Sequence, residues 1–166
     1  MLGYKLNIFF ITHQKKIMKN SFIILLYLGF TSILIGQETT EINKLKKNLQ
    51  QELVDTSKVT IYLKIANLYL KSNTDSAYVN LSKALVLAKN ANDQFKVTQT
   101  LNRIGYYHEN LGNYKDAIEN YKKSLLIYEK QNNKNKMASI NDVLGYNYSK
   151  LYAEDRAIEY YFKSLS

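Results

Sequence analysis

The 166-residue chain has no cysteine, no proline and only two histidines. Without cysteine there can be no disulfide, no thiolate nucleophile, no thiolate metal site and no lipid attached to a cysteine behind an export signal. His13 lies in the N-terminal leader. His108 has Glu109 beside it but no carboxylate three or four residues away on its own helical face. Neither a metal set nor a Ser–His–Asp arrangement can be assembled around it, so packing is its expected role. The six glycines stand singly, which excludes a phosphate-cradling loop. These absences point to a non-enzymatic protein that needs no cofactor and no metal.

Acidic residues are missing from the first 37 positions, where Lys5, Lys15, Lys16 and Lys19 lie. From Glu38 onward 19 Lys and Arg face 14 Asp and Glu, so the net charge of +9 falls to +5. Those charges alternate at helical spacing, as in Lys115-Asp116, Glu119 and Lys122-Lys123, the pattern of a solvated helix face. No clustered basic stripe and no base-reading motif is present, so nucleic acid is not an expected partner.

Long apolar runs are also scarce. The longest follows Met18-Lys19-Asn20 and extends from Ser21 to Ile35, ahead of Gly36-Gln37-Glu38. A basic start, a core of this length and a small residue at its end have the layout of a secretory signal peptide over 18–36. Such a run is shorter than the ~18–20 residues that span a bilayer comfortably. The chain is expected to be exported to the periplasm or beyond, with membrane anchoring by residues 21–35 as the alternative. Leu6 to Ile11 is a second apolar patch that fits no signal-peptide opening, so residues 1–17 read as an over-extended start.

What is present is a repeat. Residues 98–126 and 138–166 are identical at 10 of 29 positions without a gap. Ile104-Gly105-Tyr106, Leu111, Ala117-Ile118-Glu119 and Tyr121 return as Leu144-Gly145-Tyr146, Leu151, Ala157-Ile158-Glu159 and Tyr161. A weaker copy precedes them. Ala77, Leu81 and Ala84 stand one full period ahead of Ala117, Tyr121 and Ser124, whereas Ile65, Ala66 and Tyr69 stand one position nearer to Ile104, Gly105 and His108. The first repeat is therefore one residue shorter in its turn. Fixed-period similarity means stacked supersecondary units. Within a unit, Ile104, Tyr107, His108 and Leu111 fall on one helical face, and Ala117, Tyr121, Ser124, Leu125 and Tyr128 on another. Gly112-Asn113-Tyr114 breaks the pattern, so each unit is an antiparallel helix pair. The pairs are expected over 57–71 and 75–91, 94–111 and 114–132, 135–151 and 154–165. Gly105 and Ala117, with Gly145 and Ala157, are expected to let the paired backbones approach closely. Tyr69, Tyr121, Tyr148 and Tyr161 are expected to pack between units.

This spacing resembles the tetratricopeptide repeat (TPR). The large–Gly, aromatic, Ala, aromatic, small series reads Leu101, Ile104-Gly105, His108, Ala117, Tyr121, Ser124, and again Leu144-Gly145, Tyr148, Ala157, Tyr161, Ser164. The resemblance covers about 57–166 and implies an all-α, right-handed α-solenoid of antiparallel helix pairs. Three repeats are expected near 57–92, 94–133 and 134–166, the last truncated, with residues 37–55 as a capping helix starting at Thr40. Two departures stand out. The period is 40 rather than ~34, which implies longer helices or longer turns. The proline usual after the second helix is replaced by Asn-rich breaks at 90–93 and 132–133. Repeats of this longer kind resemble those of exported or membrane-anchored bacterial signalling proteins.

The resemblance also implies a concave groove. Carried over one position at a time, its residues are Asn67, Gln99, Asn102, Tyr106, Glu109, Ser139, Asp142, Tyr146 and Ser149. Tyr106 and Tyr146 are two aromatic platforms for an extended peptide, with Asn102 placed to bond its backbone. Leu63 and Ser139 stand where a chaperone-tail receptor needs lysines, which disfavours that ligand. The expected function is protein interaction: binding of a peptide or protein segment in the groove. The alternative is the sensory front of a signalling protein, such as a histidine kinase or DNA-binding regulator, whose output region lies elsewhere. Ile158, Tyr161, Phe162 and Leu165 have no following unit to cover them. The chain thus reads as the front of a longer protein, open to self-association through that end.

Overall fold

A computed structural model describes residues 37, 39–52 and 54–165. The expected export segment at 18–36 and the over-extended start at 1–17 lie outside them. Among the described residues there is no strand, and no helix is long and apolar enough to cross a membrane. A helix α1 covers 39–51, with Thr40 inside it rather than at its N-cap. Six further helices follow: α2 Asp55–Tyr69, α3 Thr74–Asn90, α4 Gln94–Asn110, α5 Tyr114–Lys130, α6 Lys134–Lys150 and α7 Glu154–Leu165. From Leu45 onward the chain is one compact unit. There α2 packs on α3, α4 on α5 and α6 on α7, and successive pairs stack through α3 on α4 and α5 on α6. This is an all-α, TPR-like solenoid.

The helix lengths account for the long period. Helices α3 to α6 have 17 residues each, and three residues link each helix to the next. Two helices and two links make one period, so the excess over the usual motif lies in the helices. The links are short because each residue in them has a task. Asn92, Gly112, Asn132 and Tyr152 take left-handed φ values of 51°, 74°, 50° and 57°. The next residue's N–H then reaches back five positions: Asp93 to Ala88 at 3.1 Å, Asn113 to His108 at 2.9 Å, Asn133 to Tyr128 at 3.0 Å and Ala153 to Tyr148 at 3.1 Å. That closure satisfies carbonyls left over at a helix C-terminus. Asp93 and Asn133 also start the following helix, their side-chain oxygens accepting from the N–H of Lys96 at 2.9 Å and Lys136 at 3.2 Å. An Asn-rich break therefore ends one helix and begins the next without proline.

The first repeat differs at this point. Among its link residues, 70–73, none has positive φ, and the N–H of Asn73 bonds Tyr69 only four positions back, at 2.8 Å. The residue by which this repeat is shorter corresponds to the left-handed one. The third repeat carries a different cost, because Tyr152 stands where Gly112 stands in the second. Its ring is 91% exposed and packs little, while a left-handed residue with a Cβ costs roughly 1–2 kcal/mol. Tyr152→Gly is therefore expected to stabilise the protein by about 0.5–1 kcal/mol, the extra entropy of an unfolded glycine offsetting part of the gain. Thermal denaturation should show a rise of a few degrees; an unchanged or lower midpoint would count against the strain.

Small residues set the packing distance. Ala77, Ala84, Ala88, Ala117 and Ser124 are fully buried, and Ile65, Leu81, Leu101, Ile104, Tyr121, Leu125 and Leu144 fill the remaining core. The space left by the glycines is taken by a ring. A Cβ at Gly105 would lie 2.8 Å from the Tyr121 ring, and one at Gly145 2.7 Å from the Tyr161 ring. The missing side chain seats an aromatic of the partner helix in the same repeat. Leu111 also departs from its expected stripe: it caps α4 and is half exposed. Repeats two and three are further joined by cation–aromatic contacts. The Lys122 ammonium lies 5.4 Å and 5.9 Å from the stacked rings of Tyr148 and Tyr160. On α7, Ile158, Phe162 and Leu165 are 53%, 69% and 84% exposed, and Tyr161 is 37% exposed. The α5 residues at the places of Ile158, Tyr161 and Leu165, which are Ile118, Tyr121 and Leu125, are buried.

Candidate functional site

Helices α2, α4 and α6 occupy equivalent places as the first helix of each pair, and their buried faces leave one exposed stripe on each. The stripes are neighbours. The Lys96 ammonium of α4 donates to the Thr60 hydroxyl of α2 at 2.7 Å, and the Asn147 amide of α6 donates to the Glu109 carboxylate of α4 at 2.8 Å. In TPR folds this side is the concave one.

The nine residues expected to line a groove lie on these helices with different fates. Asn67, Ser139, Asp142 and Ser149 are exposed, and Tyr106 and Tyr146 are 42% and 40% exposed. The two tyrosines therefore present rings at the same position of successive repeats. The Lys150 ammonium sits 5.0 Å from the Tyr146 ring centre. The hydroxyls of Ser139 and Ser149 donate to carbonyls of their own helix, Asn135 at 3.0 Å and Tyr146 at 2.7 Å. Gln99 and Asn102 are half-buried, each with a side-chain carbonyl oxygen shielded from solvent and without a donor.

Glu109 is drawn inward. Besides Asn147, the Tyr121 hydroxyl donates to the same carboxylate oxygen at 3.3 Å. Burial first, and then the Glu109 carboxylate, hold the Tyr121 phenol far above the usual tyrosine range, so it remains a donor at physiological pH. Asn147 is fully buried and also donates to Val143 of its own helix at 2.8 Å. Glu109 thus braces the junction of repeats two and three. Sequence reasoning missed Asn147. The available signal was a polar residue at the position where the preceding repeat has Tyr107, itself buried.

His108 packs edge-on against Tyr107 and Tyr78, with ring centres 5.2 Å and 5.9 Å away. Its Nδ1 lies 3.9 Å from the Asp116 carboxylate, which approaches from α5 across the turn.

Stacked antiparallel helix pairs, a small residue under each aromatic and a shared first-helix face define a TPR solenoid. Residues 31–124 match the family described as the SusR N-terminal TPR domain, and the chain belongs to that family. No curated protein matches it in sequence. Among solved structures it is similar to BtubC from P. vanneervenii, with TM-score 0.64 and 20% identity over 79% of this chain and 54% of that one. The TPR domain of Arabidopsis FLU gives TM-score 0.61 and 19% identity over 67% and 94%. A Rap protein in complex with competence and sporulation factor gives 0.69 and 22% over 78% and 37%. At these identities the likeness is one of fold. The chain spans about half of BtubC and little more than a third of the Rap protein.

Proposed function

We propose that this chain is a protein-interaction module that binds an extended peptide or protein segment on the shared face of α2, α4 and α6. The observation that carries the reading is the pair Tyr106 and Tyr146, exposed at matching positions of adjacent repeats, with Phe95 exposed three turns before Tyr106 on the same stripe of α4. Exposed aromatics at a repeated position supply contact area at low cost in side-chain entropy, and tyrosine is among the residues that dominate interfaces. Asn102 and Gln99, half-buried one and two turns before Tyr106 on the same stripe of α4, place amide groups beside it for a ligand backbone. The Rap protein in complex with competence and sporulation factor shares this fold and adds support by analogy.

The test is a double variant, Tyr106→Ala with Tyr146→Ala, assayed against peptides selected from a random library. Each truncation is expected to weaken binding by about 1–2 kcal/mol, or roughly 5–30-fold. The thermal midpoint should move little, because both rings are exposed. Full affinity in the double variant would refute the groove.

A second reading is favoured by the family description, which places the domain at the N-terminus of its proteins. In it the module is the sensory front of a signalling protein, with a histidine kinase or DNA-binding output. Reading the gene past Ser166 decides it.

A further inference from the structure

Charge is divided unevenly between the two sets of helices. Helices α3, α5 and α7 carry eight Lys and Arg against seven Asp and Glu, close to balance. Helices α2, α4 and α6 carry seven against three. The positive excess of the repeat region therefore sits on the helices that form the candidate groove. Two of the three acids there are engaged. Asp55 pairs with Lys58 at 3.1 Å at the far end of α2, and Glu109 accepts from Asn147 and Tyr121. Asp142 is exposed. On the basic side, Lys64 and Arg103 are exposed one turn from Asn67 and Tyr106, the exposed Lys71 follows Asn67 by one turn just beyond α2, and the exposed Lys150 flanks Tyr146.

We infer that the segment bound on this face is an acidic extended peptide. Its carboxylates meet Lys64, Lys71 and Arg103 on the α2–α4 half, and its apolar or aromatic side chains lie on Tyr106 and Tyr146. The inference rests on the groove reading above and adds the chemistry of the ligand. The cations are spread singly over three helices and interleaved with tyrosines. That spacing suits carboxylates carried on alternate residues of a peptide, whereas a nucleic-acid backbone calls for a continuous basic stripe. Complementary charge of this kind governs which partner is chosen and how fast it arrives more than how tightly it is held.

A random heptapeptide display library panned against the full chain is expected to enrich Asp- and Glu-containing peptides with an aromatic or large apolar residue. By fluorescence anisotropy, an enriched peptide should lose tenfold or more in affinity when its Asp and Glu are replaced by Asn and Gln. The same loss is expected from the triple variant Lys64→Glu, Lys71→Glu, Arg103→Glu, whose sites are all exposed. It is also expected from raising salt from about 50 to 300 mM, because exposed charges are screened. If neutral or basic peptides are enriched, and their binding falls in the Tyr106→Ala, Tyr146→Ala variant but not in the charge variant, the groove stands and the acidic ligand is overturned. Binding that neither variant changes removes the groove as well, as does a library that yields no binder. A single-stranded oligonucleotide that binds more tightly than the acidic peptides would overturn the proposal in favour of nucleic acid.

Discussion

Gly105→Ala is expected to destabilise the protein by up to about 2 kcal/mol, the cost of overfilling a packed site less the helical gain of alanine over glycine. Gly145→Ala, at the same position of the next repeat, is expected to cost nothing or to stabilise slightly. The two sites look alike locally, since an added Cβ meets a tyrosine ring at 2.8 Å in one and 2.7 Å in the other. They differ in whether the ring can move. Tyr121 is 4% exposed and its hydroxyl is bonded to Glu109, so the methyl group must displace a packed side chain. Overfilling of that kind costs about 1–3 kcal/mol. Tyr161 is 37% exposed on the α7 face and can turn outward. Against either cost stands the gain of about 1 kcal/mol from replacing a mid-helix glycine by alanine. Overfilling prevails at Gly105 and the helical gain at Gly145. Urea denaturation of both variants measures the difference; equal losses would mean that Tyr161 is held as firmly as Tyr121.

Covering the α7 face is expected to have the other large effect. A polar helix added after Ser166, with an apolar stripe like that of Ile140, Leu144 and Tyr148, would meet Tyr161, Phe162 and Leu165. Burying even ~150 Å² of apolar surface is worth roughly 4 kcal/mol at about 25 cal/mol per Å², an upper figure before the ordering of the new helix is set against it. Without the addition, amides in α6 and α7 should exchange faster than those in α4 and α5, because each pair is held by its neighbours. Equal exchange in a dilute monomer, or no gain in stability on extension, would show that the face needs no cover.

The helices were legible because the repeat states them more than once. Every expected span from the first repeat onward lies within two residues of its helix. The breaks at Asn92, Gly112 and Asn132 were legible for the same reason, since these residue types tolerate a left-handed backbone. Tyr152 was not, because an aromatic at such a position runs against its own preference. The Asn147–Glu109 bond joins residues 38 apart on different repeats, and no local spacing announces it. His108 was judged against its own helix, while Asp116 reaches it from the next. The charge asymmetry was hidden by interleaving. Read along the chain, basic and balanced helices alternate one after another and average to a mild positive bias. Folding sorts them onto two sides.

The buried apolar side chains form two clusters whose boundary falls inside a repeat. One gathers Val59, Leu63, Leu81, Leu101, Ile104 and Tyr107 from α2, α3 and α4. The other gathers Ile118, Tyr121, Leu125, Ile140, Leu144 and Tyr148 from α5, α6 and neighbouring α7. They meet in the middle repeat, where the Tyr121 ring lies over Gly105. The boundary between the clusters therefore does not coincide with a boundary between repeats. A splice at 91–93 or 131–133, where the sequence invites it, cuts through a cluster. A splice at 111–113 divides the repeat and parts α4 from α5, taking Ile127 away from the first cluster and Tyr121 from its seat over Gly105. Lengthening this solenoid by whole genetic repeats therefore rebuilds a core at each junction instead of adding a finished one.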